Sequence, residues 1–175
     1  MDKKGTVLAL DPSLTAFGWV VMRGKEVVDM GCVKTESGGK KARIRKSDER
    51  MNRVSTINNI LKEVIRKHEV VHIVSELPHG SQSATAAIAL GLVAGAVQAM
   101  ADFLDLGIEW YSEGDSKKAL LGKLSATKEE TIRAVRRIYQ VKYTGVKYKD
   151  EAIADSLSVY NAAEKTSPVV KFLSL

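Results

Sequence analysis

Two short apolar runs, each ending in a carboxylate, most strongly constrain how this chain can fold. The runs "TVLALD" at residues 6 to 11 and "VVHIVSE" at residues 70 to 76 are rich in β-branched and apolar residues, which is typical of buried strands. A hairpin pattern follows the first run at residues 17 to 35. A helical pattern ending near Lys67 precedes the second run. These features predict an α/β domain.

The rest of the chain extends this pattern to the order β, β, β, α, β, α, β, α, α, α. The predicted strands cover residues 6–11, 17–24, 26–35, 70–76 and 107–112, and the predicted helices begin at Ser47 or Asp48, near Ser83, at Asp115, at Ser125 and at Lys149. Three antiparallel strands extended by parallel βα units give a mixed five-stranded sheet flanked by helices.

The predicted topology brings two carboxylates together. A right-handed crossover from the first strand to the fourth places these strands side by side and parallel. Asp11 and Glu76 then end neighbouring strands and face the crevice in which such sheets bind ligands.

Length and composition indicate one domain that covers residues 1–175, without a membrane segment. The longest apolar run, residues 86–97, is shorter than the ~20 residues needed to span a bilayer. The single Cys32 cannot form an internal disulfide, so we expect a cytoplasmic protein.

Positive charge is concentrated in one stretch. The chain carries 27 basic and 21 acidic residues, a net charge of +6, and residues 40–53 hold seven basic residues against two acidic ones. This clustering suits a polyanion such as nucleic acid, although a solvated loop and helix face would give the same pattern.

Carboxylates near the end of the chain can complete a metal site with Asp11 and Glu76. If the last helix packs at this edge of the sheet, Asp155 joins them together with Asp150 or Glu151. Such an oxygen-rich site suits Mg²⁺ or Mn²⁺, and two ions about 4 Å apart could promote phosphodiester hydrolysis. Some of these carboxylates also have a structural alternative, namely an Asx turn at Asp11 and a helix-dipole role at Asp150 or Glu151. A carboxylate at the end of a buried strand, such as Glu76, needs a partner.

Four motifs, in the same order, resemble the RuvC-type Holliday junction resolvases, which have the ribonuclease H-like fold. They are "LALDPSLTAFGWVV", "IVSELPHGSQSATAAIALGLVAGAV", "DSKKALLGKLSATKEETI" and "DEAIADSLSVY", and together they cover almost the whole chain. The "SQS" segment looks more like phage members of the family. The resemblance implies a homodimer that binds four-way DNA junctions and cuts two strands symmetrically with Mg²⁺, without a small-molecule cofactor.

The resemblance also implies roles for individual residues. Asp11, Glu76 and Asp155 match the metal-binding acids, and Lys117 and Lys128 match basic positions near the scissile phosphate. The bacterial enzyme carries a second acid or a histidine three residues before the last Asp, where this chain has Ala152. The bacterial enzyme also has an aromatic residue soon after the Glu, where this chain has "LPH".

We therefore expect DNA contacts from the basic stretch, from the segment after Glu76 and from the lysine motif. The residues are Lys40, Lys41, Arg43, Arg45, Lys46, His79, Ser81, Gln82, Lys117, Lys118 and Lys128.

Small residues recur at every fourth position of the second predicted helix, at Ala87, Gly91, Gly95 and Ala99. This smooth face permits close packing, either on the sheet or across a two-fold dimer interface. Because the resembling family dimerises in this region, we expect a contribution to the interface.

Helix geometry leaves the second acid of the last helix open. Residues lie about 100° apart around a helix, so Glu151 faces within about 40° of Asp155, whereas Asp150 is about 140° away. A non-helical start of the helix could still turn Asp150 inward, and relatives tend to use the shorter Asp. Asp150 is our first choice and Glu151 the alternative.

Three other functions compete with strict junction resolution. They are cleavage of branched or flapped DNA in general, junction binding without catalysis, and an actin-like phosphotransferase. The last needs a second domain that 175 residues do not hold.

Overall fold

The computed structural model describes residues 5–38, 44–77, 80 and 83–175. The strands are β1 (Thr6–Asp11), β2 (Ala16–Arg23), β3 (Glu26–Lys34), β4 (Val70–Glu76) and β5 (Gly107–Tyr111). The helices are α1 (Lys46–His68), α2 (Ala84–Phe103), α3 (Glu113–Leu121), α4 (Lys128–Ile138), α5 (Lys147–Thr166) and α6 (Pro168–Leu173).

All five strands form one sheet, in the order β3-β2-β1-β4-β5. The first three strands pair antiparallel, and β4 and β5 add to β1 in parallel. The predicted mixed five-stranded sheet is therefore confirmed, and so is the direct parallel pairing of the first and fourth strands.

The strand β1 is buried on both faces, as its continuous apolar run predicts. Leu8 and Leu10 pack with α1 and α2 on one face, whereas Val7 and Ala9 pack with α5 on the other. This alternation follows the two-residue period of a strand, and it makes β1 the centre of a three-layer structure.

The helix α5 approaches β2 very closely. Gly18 lies beneath it, and a Cβ atom added there would be 2.3 Å from the carbonyl oxygen of Ala152 and 2.8 Å from Ser156 Oγ. Further along α5, the buried Tyr160 hydroxyl donates to the carbonyl of Gly24 at 2.7 Å. These two contacts fix the depth and the direction of the helix that carries Asp155.

Several element boundaries differ from the sequence prediction. The helix α4 begins at Lys128 and not at Ser125, and α5 begins at Lys147 and not at Lys149. The helix α1 begins at Lys46 without a side-chain cap, so the cap predicted at Ser47 or Asp48 is wrong. The helix α3 begins at Glu113, two residues before the predicted Asp115, because Ser112 and Asp115 form a capping box. The short α6 was not predicted; Pro168 occupies its first position.

The helix α2 keeps much of its apolar surface exposed. Among the described residues it is the one helix whose length and composition would allow it to cross a membrane, and only a small part of it is buried. Core helices of soluble proteins share this length and composition. The low burial does identify an apolar surface that the monomer does not cover.

We expect Gly18→Ala to lower the free energy of unfolding by about 1–3 kcal/mol, because the added methyl group forces α5 away from β2. Urea denaturation followed by far-ultraviolet circular dichroism measures this change. A wild-type midpoint and slope would contradict the close approach.

Candidate active site

A cavity of about 210 Å³ opens at the carboxyl ends of β1 and β4, beside α3, α4 and α5. Among the described residues, its lining consists of four carboxylates, two lysines and three hydroxyl residues. They are Asp11, Glu76, Glu113, Asp155, Lys117, Lys128, Ser116, Thr131 and Ser158. A cavity with this lining suits a charged ligand far better than an apolar one.

Sheet register brings the first two acids together. Leu10 pairs with Ser75 across the parallel strands, so the next residue of each strand, Asp11 and Glu76, lies at the same edge. This juxtaposition was predicted from the strand ends alone.

Asp155 enters the cavity from α5, and Lys128 reaches it from the first turn of α4. The Lys128 ammonium contacts the Asp155 carboxylate, whose side chain is only 17% exposed. A capping box of Thr127 and Glu130 sets the start of α4 and thereby the position of Lys128.

The pKa shifts in the cavity show that placing these carboxylates together is electrostatically unfavourable. Burial, followed by repulsion from Asp155 and Glu76, raises the pKa of Asp11 well above its ordinary value. Burial also raises the pKa of Asp155, despite the nearby Lys128. Burial alone would lower the pKa of Lys128, but attraction to Asp155, Asp11 and Glu76 outweighs it and raises that pKa. The cavity therefore favours added positive charge.

Glu113 is an acidic residue of the cavity that the sequence analysis missed. Its carboxylate contacts the Lys117 ammonium one turn further along α3. Because α3 was expected to begin at Asp115, Glu113 was assigned to a loop. The Ser112–Asp115 capping box is the signal that would have placed it on the helix.

The two candidate acids at the start of α5 lie elsewhere. Asp150 accepts hydrogen bonds from the backbone N–H of Thr144 at 2.8 Å and of Gly145 at 2.9 Å, and from the Thr144 hydroxyl at 2.7 Å. Glu151 pairs with Lys147 at 3.9 Å. Neither carboxylate lines the cavity. Metal binding by Asp150, or by Glu151 in its place, stays a prediction that these contacts do not favour.

The expected DNA-binding residues fall into separate places. Lys117 and Lys128 line the cavity, and Lys118 lines a groove beside Trp110 and Lys165. Arg45 pairs with Asp48 at 2.7 Å. Six others lie outside the described residues, namely Lys40, Lys41, Arg43, His79, Ser81 and Gln82.

Lys46 lines a separate cleft of about 490 Å³ between the start of α1 and the start of α2. Arg50 and Arg53 line the same cleft. Arg53 is largely internal, because it donates to Thr35 Oγ1 at 2.7 Å, to Thr15 Oγ1 at 2.9 Å and to the Leu14 carbonyl at 3.2 Å. It therefore anchors the loop that follows Asp11, whereas Lys46 is exposed.

The donor chemistry of the cavity fits a hard divalent cation, since carboxylate oxygens are the ligands that Mg²⁺ and Mn²⁺ prefer. Within the described ranges, no three acidic, histidine or cysteine side chains are gathered closely enough to hold an ion as they stand. Two of the four cavity carboxylates, Asp155 and Glu113, instead contact lysines.

Comparison with solved structures agrees with the fold. Thermus thermophilus RuvC, solved in complex with a Holliday junction substrate, matches with a TM-score of 0.73 at 23% identity, over 90% of this chain and 92% of that one. The yeast mitochondrial Holliday junction resolvase Ydc2 matches with a TM-score of 0.67 at 12% identity, over 98% of this chain and 82% of that one. The fold is thus ribonuclease H-like.

Sequence comparison gives the family. A relative from Chlorobium phaeobacteroides, a crossover junction endodeoxyribonuclease RuvC, is 31% identical over 139 residues, which are 77% of this chain and 70% of that protein. One from Pseudomonas entomophila is 28% identical over 165 residues, 92% of this chain and 88% of that protein. The family model for crossover junction endodeoxyribonuclease RuvC matches residues 7–161, and the chain belongs to this family. Its members are divalent-metal-dependent nucleases.

We expect Asp150→Asn to lower the free energy of unfolding by about 0.5–2 kcal/mol, because the amide cannot accept all the hydrogen bonds from Thr144 and Gly145. Mn²⁺ affinity, measured by titration calorimetry, should not change. Glu151→Gln is the matched control and should alter neither quantity. Weaker Mn²⁺ binding by Asp150→Asn would identify Asp150 as a ligand after all.

Proposed function

We propose that this chain resolves four-way DNA junctions by metal-dependent hydrolysis of phosphodiester bonds, using the cavity at the carboxyl ends of β1 and β4. The observation that carries the proposal is the convergence of Asp11, Glu76 and Asp155 with Lys117 and Lys128 in one polar cavity. The similarity to a RuvC solved with a Holliday junction substrate supports junction DNA as the substrate.

The cavity carboxylates would hold Mg²⁺, as two ions per site, and Mn²⁺ should substitute because it accepts the same oxygen ligands. The chemistry supplied by such ions would be activation of a water molecule and stabilisation of the leaving oxygen in an in-line displacement. The raised pKa of Asp11, which results first from burial and then from neighbouring carboxylates, supports this assignment because a cation would relieve both costs.

The two lysines supply positive charge at fixed positions. Lys128 is held at the start of α4 by the capping box around it, and Lys117 projects from α3. Each contacts a carboxylate of the cavity, so each stands where it can offset negative charge that develops on a phosphate.

Basic residues outside the cavity would hold the DNA arms. Lys46 and Arg50 line the cleft at the start of α1, and the chain carries a net charge of +6. The other expected contacts are Lys40, Lys41, Arg43, Arg45, His79, Ser81, Gln82 and Lys118. Affinity from such phosphate contacts falls steeply as the salt concentration rises.

A homodimer would give two sites related by two-fold symmetry, which paired symmetric cuts require. The face of α2 formed by Ala87, Gly91, Gly95 and Ala99 is exposed, and a Cβ atom added at Gly91 or Gly95 would meet no atom within 4 Å. Packing of this face on the sheet is therefore excluded. Because an apolar helix face left open in the monomer suits a second copy, the dimer is the better explanation of the small-residue pattern.

Asp11→Asn should reduce cleavage of a synthetic four-way junction in Mg²⁺ by at least about 100-fold, since loss of even an outer-shell group costs about 10–100-fold. Junction binding, measured by gel shift, should remain. The isosteric control Asp105→Asn, at an exposed position outside the cavity, should cut normally. Parallel reactions on flap and linear duplex DNA measure selectivity. Full junction cleavage by Asp11→Asn would disprove the mechanism.

Gly91→Arg should convert a dimer to a monomer in light scattering coupled to size-exclusion chromatography, because the charged side chain would lie in the interface. Paired cuts in a cruciform plasmid should then become single nicks. Asn59→Arg, on an exposed face of α1, is the matched control and should remain dimeric. A monomeric wild-type protein would contradict the dimer.

A further inference from the structure

We propose that Glu113 is an acidic residue of the active site and helps to hold the divalent cation there, together with Asp11, Glu76 and Asp155. This inference rests on the function proposed above and concerns a residue of α3, a helix from which the resemblance implied only a lysine.

The start of α3 determines which side chains face the cavity. The capping box of Ser112 and Asp115 begins the helix at Glu113, so Glu113, Ser116 and Lys117 follow at positions i, i+3 and i+4 of one face. All three line the cavity, and Ser116 is only 2% exposed. The side chain of Glu113 is thus on the face of α3 that lines the cavity, although 47% of its surface is exposed.

Electrostatic coupling indicates that Glu113 lies near the other acids. Burial is the main cause of the raised pKa of Asp11 and of Asp155, and the negative charge of Glu113 adds to the increase at both. Asp11 and Asp155 belong to different elements, β1 and α5. Because the charge of Glu113 acts on Asp11 and on Asp155, Glu113 lies at the same cavity as these two residues.

Two buried hydroxyls provide an independent sign of a polar ligand. Ser116 and Ser158 are 2% and 3% exposed, and their Oγ atoms have no hydrogen-bond partner within the described part of the chain. Both residues line the cavity, Ser116 one turn from Glu113 and Ser158 one turn from Asp155. Buried hydroxyls without partners are costly, and the water ligands that Mg²⁺ retains would satisfy them.

The helix α5 cannot supply this further carboxylate in the present arrangement. Ala152, one turn before Asp155, is buried where α5 meets Gly18. The carboxylate of Asp150 is held by Thr144 and Gly145. Asp155 is therefore the one acid that α5 contributes to the lining, and Glu113 adds the fourth carboxylate from α3.

The competing role for Glu113 is to orient Lys117, which its carboxylate contacts. The two roles differ in their effect on metal binding. A carboxylate that only orients the lysine leaves the affinity for Mn²⁺ unchanged when it is replaced, whereas a carboxylate that holds the cation lowers it.

The test consists of three measurements. Mn²⁺ binding is measured by electron paramagnetic resonance in the absence of DNA, junction cleavage is measured in the presence of metal, and the thermal midpoint of unfolding is measured in its absence. The proteins are the wild type, Glu113→Gln, Lys117→Gln and Glu129→Gln. Glu129 is the matched control, because it is also an acid in the first turn of a helix but is exposed outside the cavity. We expect Glu113→Gln to weaken Mn²⁺ binding by at least about 10-fold and to slow cleavage, with a normal thermal midpoint. Glu129→Gln should match the wild type, and Lys117→Gln should slow cleavage without weakening Mn²⁺ binding.

Wild-type Mn²⁺ affinity in Glu113→Gln would overturn the inference, whether or not its cleavage is slower. Asp11→Asn, measured beside it, separates this failure from a failure of the proposed function. If Asp11→Asn loses Mn²⁺ affinity and Glu113→Gln does not, only the role of Glu113 is wrong. If the wild type neither binds Mn²⁺ nor cuts, both proposals fall.

Discussion

The close approach of α5 to the sheet at Gly18 is the constraint on which the active site depends. Only a residue without a side chain allows the backbone of α5 to lie so near β2, because any Cβ atom would collide with the carbonyl of Ala152. That close approach sets the position of Asp155 relative to Asp11 at the carboxyl end of β1. The helix also packs against α3 and α4, which carry Glu113, Lys117 and Lys128. One packing contact therefore positions side chains from several elements.

The carboxylates of the cavity carry an unfavourable electrostatic free energy. Buried carboxylates on different elements repel each other, and burial removes the water that would screen them. Lys128 offsets part of this cost through its contact with Asp155, while the raised pKa of Asp11, caused first by burial, shows that part remains. Such a balance suits a site that binds divalent cations, because the carboxylates that line the cavity outnumber the lysines.

Strand ends were the most predictable part of the site. Asp11 and Glu76 could be paired from the sequence because two apolar runs, a crossover helix and its handedness leave few topologies open.

Helix starts were less predictable. Starting α3 at Asp115 placed Glu113 in a loop, although Ser112 caps the helix and Glu113 is its first residue. Asp150 was chosen over Glu151 by likeness to relatives, and only the structure shows that Thr144 and Gly145 hold its carboxylate. The short α6 was missed because six residues are too few to show a helical period.

The sequence by itself determined the order of the elements as far as α5, the mixed sheet, the pairing of Asp11 with Glu76 and the family resemblance. These depend on local periodicity and on motifs that are contiguous in the chain. The tertiary structure decided which face of α2 is open, which acids reach the cavity and where Lys128 and Glu113 lie. Those outcomes depend on how helices pack on the sheet, at contacts such as Gly18 against Ala152, between residues far apart in the chain. The spacing of residues along a single segment does not contain that information.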